Sequence, residues 1–166
     1  MIDQKRRTVL KTTLAGGILA GVAGSGLLAP NWLLGAWSED AFLAETLQEA
    51  LDALYGNGEG AQISLENTET DAIGFEDTKE KPTNSRFVPI TVSSTVSDTQ
   101  SISIFIEKNP RPLVARFQFE ANAIPTVHVR AKMRESSRVI AVIEDSTGKL
   151  HSSAMKITVT ESGCAA

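Results

Sequence analysis

The chain has 166 residues, 42% of them hydrophobic, with a formal net charge of −4 and a pI near 5.2. A chain of this size and composition is predicted to form one compact domain plus a removable segment. The acidic balance, with no Lys- or Arg-rich run after the first dozen residues, argues against a nucleic-acid partner.

The N-terminal segment has the pattern of an export signal. The cluster KRRTVLK at residues 5–11 precedes a charge-free stretch, residues 12–38, that is rich in Gly, Ala and Leu. The pair Arg6 and Arg7, followed by one variable residue, two apolar residues and a lysine, resembles a twin-arginine signal. A retained membrane anchor is the alternative, since about 20 apolar residues span a bilayer, but the proline and glycines of this stretch disfavour a helix. We therefore predict a signal segment at residues 1–36, export to the periplasm by the twin-arginine pathway, and membrane contact only through an uncleaved signal.

Residues 38–56, SEDAFLAETLQEALDALYG, are predicted to form one amphipathic helix that covers a sheet. Ser38 is a candidate N-cap, and Gly56 is a natural stop. The predicted apolar stripe consists of Leu43, Leu47, Ala50, Leu51 and Leu54. Three aromatic residues are predicted to pack rather than to bind a ligand: Trp37, Phe42 and Tyr55.

Beyond this helix the hydrophobic period changes to two, which is typical of β-strands. Residues 139–143 are apolar on both faces and predict a more central strand. Residues 67–85 are polar and turn-rich, so they predict a long solvated loop with at most a short edge strand; their acids lack the spacing of a calcium loop. The alternating apolar positions are Ile63, Leu65, Val88, Ile90, Val92, Ile102, Ile104, Ile106, Phe117, Phe119, Val127, Val129, Ala131, Met133, Met155, Ile157 and Val159.

This pattern predicts a mostly β fold. About seven short strands, joined by turns such as residues 109–110 and 145–148, indicate an immunoglobulin-like antiparallel β-sandwich with an N-terminal amphipathic helix. The expected organisation is the signal segment, then a helix-plus-sandwich domain at residues 37–160, then a flexible C-terminal arm at residues 161–166.

The predicted sandwich carries no recognisable catalytic constellation. His128 and His151 are the only histidines, and neither belongs to a metal-ligand spacing. The sequence also lacks a glycine-rich phosphate loop and a nucleophile elbow. We therefore predict structural or surface roles for both histidines, and no enzyme activity, no metal and no cofactor.

The one cysteine of the chain, Cys164, lies two positions from the C-terminus. In an oxidising compartment a lone cysteine cannot form an internal disulfide, so it is joined to another molecule, buried or reactive. Its neighbours are small, Gly163 makes the backbone flexible, and an arm of this length can hold the thiol roughly 13 Å from the sheet. No Lys, Arg or His lies nearby in the sequence to favour the thiolate. The arm therefore suits a thiol that carries a group more than one that catalyses.

Two runs and the cysteine tail resemble the SoxY family, the sulfur-carrier subunit of the SoxYZ thiosulfate-oxidation complex. The runs are SIFIEKNPRPLVARFQFEANAIPTVHVRAKM, at residues 103–133, and RVIAVIEDSTGKLHSSAMKITVT, at residues 138–160. The resemblance implies that Cys164 is the covalent attachment site for sulfur intermediates. The tail of this chain departs from the family pattern Gly-Gly-Cys-Gly-Gly, because Ser162, Ala165 and Ala166 stand where three of the glycines would be.

The resemblance also implies partners. A SoxZ-like subunit without its own signal would form a heterodimer with this chain and be exported with it. Three periplasmic enzymes would act on the cargo: a cytochrome conjugating enzyme, a sulfate-releasing hydrolase and a sulfane dehydrogenase. The alternative function is an immunoglobulin-like binding or assembly module whose Cys164 forms an intermolecular disulfide. A membrane-anchored lipid- or metal-handling protein is a third interpretation, and it depends on an uncleaved signal.

Overall fold

The computed structural model describes residues 38–56, 71–80 and 87–159 of the chain. Two helices precede the strands: α1 (Glu39–Leu43) and α2 (Leu47–Tyr55). None of the helices in these ranges is long and apolar enough to cross a membrane. The predicted positions Trp37, Ile63 and Leu65 lie outside the described residues.

The prediction of one continuous helix is wrong, because the chain breaks between α1 and α2. Ala44 has an extended ψ of 136°, and Thr46 starts a new helix with a capping box. The Glu49 N–H donates to the Thr46 hydroxyl at 3.2 Å, and the Thr46 N–H donates to the Glu49 carboxylate at 3.2 Å. These bonds satisfy the free N–H groups of a new helix start, which a continuing helix would not need. Ser38 makes no side-chain cap, whereas Gly56, with φ +80°, ends α2 as predicted.

The break changes which side chains face the sheet. Leu47, Ala50 and Leu51 are buried as predicted, and Leu54 is partly buried. Leu43 is 47% exposed, so its place in the predicted stripe is wrong. Ala41 is buried in its stead, because a helix that ends at Leu43 is free to turn a different face to the sheet.

Seven strands within the described ranges form two antiparallel sheets, which confirms the immunoglobulin-like sandwich. One sheet has the order β1-β2-β5 and the other has the order β4-β3-β6-β7. The predicted loop at residues 67–85 contributes the two-residue edge strand β1. The strands are β1 (Ile73–Gly74), β2 (Val88–Ser94), β3 (Thr99–Ile106), β4 (Leu113–Gln118), β5 (Thr126–Ala131), β6 (Ser137–Asp145) and β7 (Leu150–Ile157).

The core has two layers because the helices cover the outer face of the larger sheet. Between the sheets, β2, β3 and β6 contribute buried alternating residues such as Val88, Ile104 and Val139. On the outer face, Phe105 and Ile140 pack against α2. β6 is therefore apolar on both faces, and its place between β3 and β7 confirms residues 139–143 as a central strand.

A polar network lies in the helix-covered layer. The Tyr55 hydroxyl donates to Ser103 Oγ at 2.9 Å, and Ser103 is fully buried. Arg116 donates to Glu144 at 2.8 Å, and its guanidinium lies 5.5 Å from the centre of the Tyr55 ring. Ser101 donates to the same Glu144 oxygen at 3.1 Å. The network fastens the end of α2 to β3, β4 and β6, which confirms a packing role for Tyr55.

Candidate functional site

The four predicted site residues, Arg6, Arg7, Gly163 and Cys164, lie outside the described residues, so their roles remain predictions. What the structure does describe is the base from which residues 160–166 continue. That base is the end of β7 and the loops beside it.

β7 ends at Ile157, three residues before the predicted end of the domain at residue 160. Hydrogen bonds still hold the chain at the two residues that follow. The Thr158 N–H donates to the Glu80 carbonyl at 2.7 Å. The Val159 N–H donates to Ser136 Oγ at 3.0 Å, and that hydroxyl donates to the Val159 carbonyl at 3.3 Å. Val159 is buried in the core between the sheets. The C-terminal segment therefore starts from a fixed point beside the loop that joins β5 to β6.

Asn109 links this β5–β6 loop to the turn between β3 and β4. Its side-chain amide donates to the Lys132 carbonyl at 2.8 Å, and its Oδ1 accepts from the Arg134 N–H at 3.1 Å. Between these two bonds, Met133 is fully buried. The predicted turn at residues 109–110 is confirmed by the Asn109 N–H, which donates to the Ile106 carbonyl at 3.1 Å. One side chain thus holds two segments together that are more than twenty residues apart.

The two linked segments form an open cleft of about 500 Å³. We call it the cationic cleft; its lining residues are Asn109, Pro110, Arg111, Lys132 and Arg134. This cleft was not predicted from the sequence. The available signal was a set of basic residues, one beside the predicted turn at residues 109–110 and the others at the end of a predicted strand, but only the folded sandwich brings these segments together.

The acids beside the cleft are engaged with other cations. Arg138 donates to both oxygens of Glu107, at 2.9 and 2.7 Å, in a bidentate pair. The hydrogen bonds from Arg138 hold the pKa of Glu107 below its usual value. Glu135 lies 4.0 Å from Lys108, and both side chains are largely exposed. Such an exposed pair adds little stability.

The two histidines lie in different sheets, and the ring of each contacts a polar side chain of the described residues. His128 Nδ1 lies 2.8 Å from the Thr91 hydroxyl, across β5 and β2. His151 Nε2 lies 3.0 Å from Asp145, next to the predicted turn at residues 145–148, which is confirmed by a Gly148-to-Asp145 bond. The Thr147 hydroxyl and then His151 lower the pKa of Asp145 through hydrogen bonds. Within residues 38–56, 71–80 and 87–159, no cluster of His, Cys, Asp or Glu could hold a metal ion.

The chain is similar to known sulfur oxidation proteins in both sequence and structure. The family described as sulfur oxidation protein SoxY matches residues 67–164. The solved structure of the sulfur carrier protein SoxY from Chlorobium limicola f thiosulfatophilum is 30% identical, with a TM-score of 0.56. That match covers 69% of this chain and 96% of the relative. No match was found among curated proteins.

Other solved structures match with lower sequence identity and lower TM-scores. A superoxide reductase (neelaredoxin) from Ignicoccus hospitalis is 20% identical, with a TM-score of 0.47, over 54% of this chain and 80% of its own. A fibronectin(III)-like module of Clostridium thermocellum CbhA is 13% identical, with a TM-score of 0.41, over 54% of this chain and 96% of its own.

The two antiparallel sheets define a protein of the immunoglobulin-like β-sandwich class. With the family match over residues 67–164 and a relative that is 30% identical, the chain belongs to the SoxY family of sulfur oxidation proteins.

Proposed function

We propose that this protein is a covalent sulfur carrier of periplasmic sulfur oxidation, which holds sulfur intermediates on Cys164 and presents them to partner enzymes without being an enzyme itself. The observation that carries the proposal is the SoxY family match, which extends to residue 164, the position of the one cysteine in the chain. The 30% identical relative is a sulfur carrier protein by its own description.

The chemistry of loading requires a partner. Joining a thiol to thiosulfate forms a sulfur–sulfur bond, R–S–S–SO₃⁻, and releases one proton and two electrons. An electron acceptor must therefore take part, and we assign that step to the cytochrome conjugating enzyme. The sulfate-releasing hydrolase and the sulfane dehydrogenase would then act on the same bound group. The role of this chain is to keep the intermediate attached between these steps.

The geometry of the strand end supports a carrier. β7 pairs with β6 from Leu150 to Ile157, and Val159 is then bonded on both its N–H and its carbonyl. An extended chain spans at most about 3.6 Å per residue, so Cys164 can be at most about 18 Å from Val159. We propose that residues 161–166 are a flexible arm, with Gly163 supplying backbone freedom.

A second subunit is part of the proposal. β-Sheet edges present unpaired backbone groups that proteins tend to cover, and Phe87 and Ile124 are 64% and 82% exposed. Both observations support a SoxZ-like subunit that forms a heterodimer with the domain at residues 37–160. We propose that residues 1–36, with Arg6 and Arg7, form the twin-arginine signal that exports the pair, and that any membrane contact is through this signal before cleavage.

Intact mass spectrometry of the complex from the exporting organism tests carriage. Protein from cells grown on thiosulfate should carry mass additions that correspond to bound sulfur intermediates, and a thiol reductant should remove them. Cys164→Ser should carry none, and its free energy of unfolding should change by no more than about 0.5 kcal/mol because one small side chain replaces another of the same shape. Ser162→Ala, which keeps the thiol, is the matched control and should load normally.

Two outcomes would contradict carriage. One is sulfur oxidation that continues with Cys164→Ser. The other is a mass that corresponds to a disulfide-linked second protein in place of sulfur, which is the result expected of a binding or assembly module.

A further inference from the structure

The cationic cleft concentrates positive charge on a protein whose net charge is −4. Arg111, Lys132 and Arg134 are all exposed. Across the described part of the chain, none of the three forms an ion pair, whereas the nearby Glu107 and Glu135 pair with other cations. Three exposed cations that form no ion pair with the described residues attract an anion from solution.

The walls of the cleft are held in place before any ligand binds. The two Asn109 bonds fix the backbone on both sides of Met133, which is fully buried. Lys132 and Arg134 flank this buried residue, so both side chains are directed outward from a fixed segment. On the other wall, the ring of Pro110 restricts the backbone next to Arg111. A site ordered in advance loses less conformational entropy when it binds.

The composition of the cleft suits a small oxyanion with several oxygens. Each guanidinium presents paired N–H donors that match two oxygens of one anion, and the lysine ammonium adds a third positive charge. The volume of about 500 Å³ is within the range of small-molecule sites. Tetrahedral sulfur oxyanions, such as sulfate, thiosulfate and a bound sulfonate, have the required negative charge and several acceptor oxygens.

The cleft is also within reach of Cys164. Ser136, which holds Val159, is two residues from Arg134, so their Cα atoms are at most about 7.6 Å apart. The five further residues to Cys164 span up to about 18 Å. The chain is therefore long enough to bring a group on Cys164 to the cleft of its own molecule.

We propose that the cationic cleft binds tetrahedral sulfur oxyanions and receives the sulfonate end of the intermediate carried on Cys164. The identity of this cargo rests on the proposed function, whereas the anion site does not. Binding in the cleft would hold a sulfonate-terminated cargo against the protein between partner enzymes. A free thiol has no such group, so the unloaded arm would not bind there. The cleft would thus distinguish the loaded carrier from the unloaded one.

The anion site is tested with free ligands on the Cys164→Ser protein in complex with its partner. Sulfate or thiosulfate, added at constant ionic strength, should cause saturable shifts in the NMR signals of the Arg111, Lys132 and Arg134 amides. The double variant Arg111→Gln/Arg134→Gln should weaken binding at least tenfold.

The matched control is Lys149→Gln. This exposed lysine follows the far end of β6, a nine-residue strand, so it lies roughly 27 Å from the cleft loop. The control should change the affinity less than twofold. Absence of saturable binding would overturn the proposed anion site. An equal loss of affinity in the control would do so too, because the effect would then come from the overall electrostatic field of the protein.

A second experiment tests whether the cargo on Cys164 binds in the cleft. Tetrathionate reacts with the Cys164 thiolate, leaving Cys164–S–S–SO₃⁻ and releasing thiosulfate. The loaded protein should show the cleft shifts without added anion and should bind free sulfate at least tenfold more weakly. Unchanged sulfate binding after loading would overturn cargo docking. If free oxyanions bind but Cys164 carries no sulfur in the organism, the proposed function fails and the anion site stands; if Cys164 carries sulfur but no oxyanion binds, the reverse holds.

Discussion

Tyr55→Phe tests the polar network that fastens α2 to the larger sheet. The substitution removes the hydroxyl that donates to Ser103 Oγ at 2.9 Å and keeps the ring beside Arg116. Since Ser103 is fully buried, its hydroxyl loses a partner that water cannot replace. We expect the free energy of unfolding at neutral pH to fall by about 1–3 kcal/mol.

The same residue predicts a loss of stability at alkaline pH. Burial, opposed by the Ser103 bond, raises the pKa of Tyr55 to about 12, whereas an unfolded tyrosine titrates near 10. Between these values the unfolded chain has lost the proton and the folded chain still holds it, so rising pH favours unfolding. The contribution is complete below about pH 10. At about 1.36 kcal/mol per pH unit the full loss is roughly 2.7 kcal/mol, and it is reached only above about pH 12.

Urea unfolding of both proteins at about pH 8 and about pH 11 measures this effect as a difference, so that other titrating groups cancel. The chain has one tyrosine, so tyrosinate absorbance reports Tyr55 alone. The advantage of the natural protein over Tyr55→Phe should shrink at the higher pH. In the double variant Tyr55→Phe/Ser103→Ala, part of the neutral-pH loss should return, because no unpaired hydroxyl remains. Tyrosinate formation near pH 10 in the folded protein, or a stability difference that does not depend on pH, would refute the reasoning.

Two other predictions concern packing and export. Leu51→Ala should lower the free energy of unfolding by about 2–5 kcal/mol, because Leu51 is 1% exposed; the matched Leu43→Ala should cost less than about 0.5 kcal/mol, and equal losses in urea unfolding would contradict the assigned helix face. Replacing Arg6 and Arg7 with lysine should leave the precursor and its signal-less partner in the cytoplasm, because the guanidinium pair is recognised and not its charge alone. Normal periplasmic accumulation on immunoblots of cell fractions would indicate a different export route.

The sequence contained the signals that act over a few residues. Period-two alternation predicted the strands, the two-sided run at residues 139–143 predicted a central strand, and Gly56 predicted a helix end. The break before α2 was also readable, since Thr46 and Glu49 have the spacing of a capping box. The prediction of one helix gave more weight to the hydrophobic stripe than to this local signal for a new helix start.

Other features depended on contacts between distant segments. Ser103 has the alternation expected of an exposed serine, and it is buried only because α2 covers its face of the sheet. Arg111 and Lys132 lie in different loops of the sequence, and the pairing of β3, β4 and β6 and the Asn109 link bring them to one cleft. The sequence alone identified the single cysteine and the sandwich, because composition and period are local properties. Only the tertiary structure decided which charged side chains share a loop with Ser136, the residue that holds Val159, because that depends on how the strands pair.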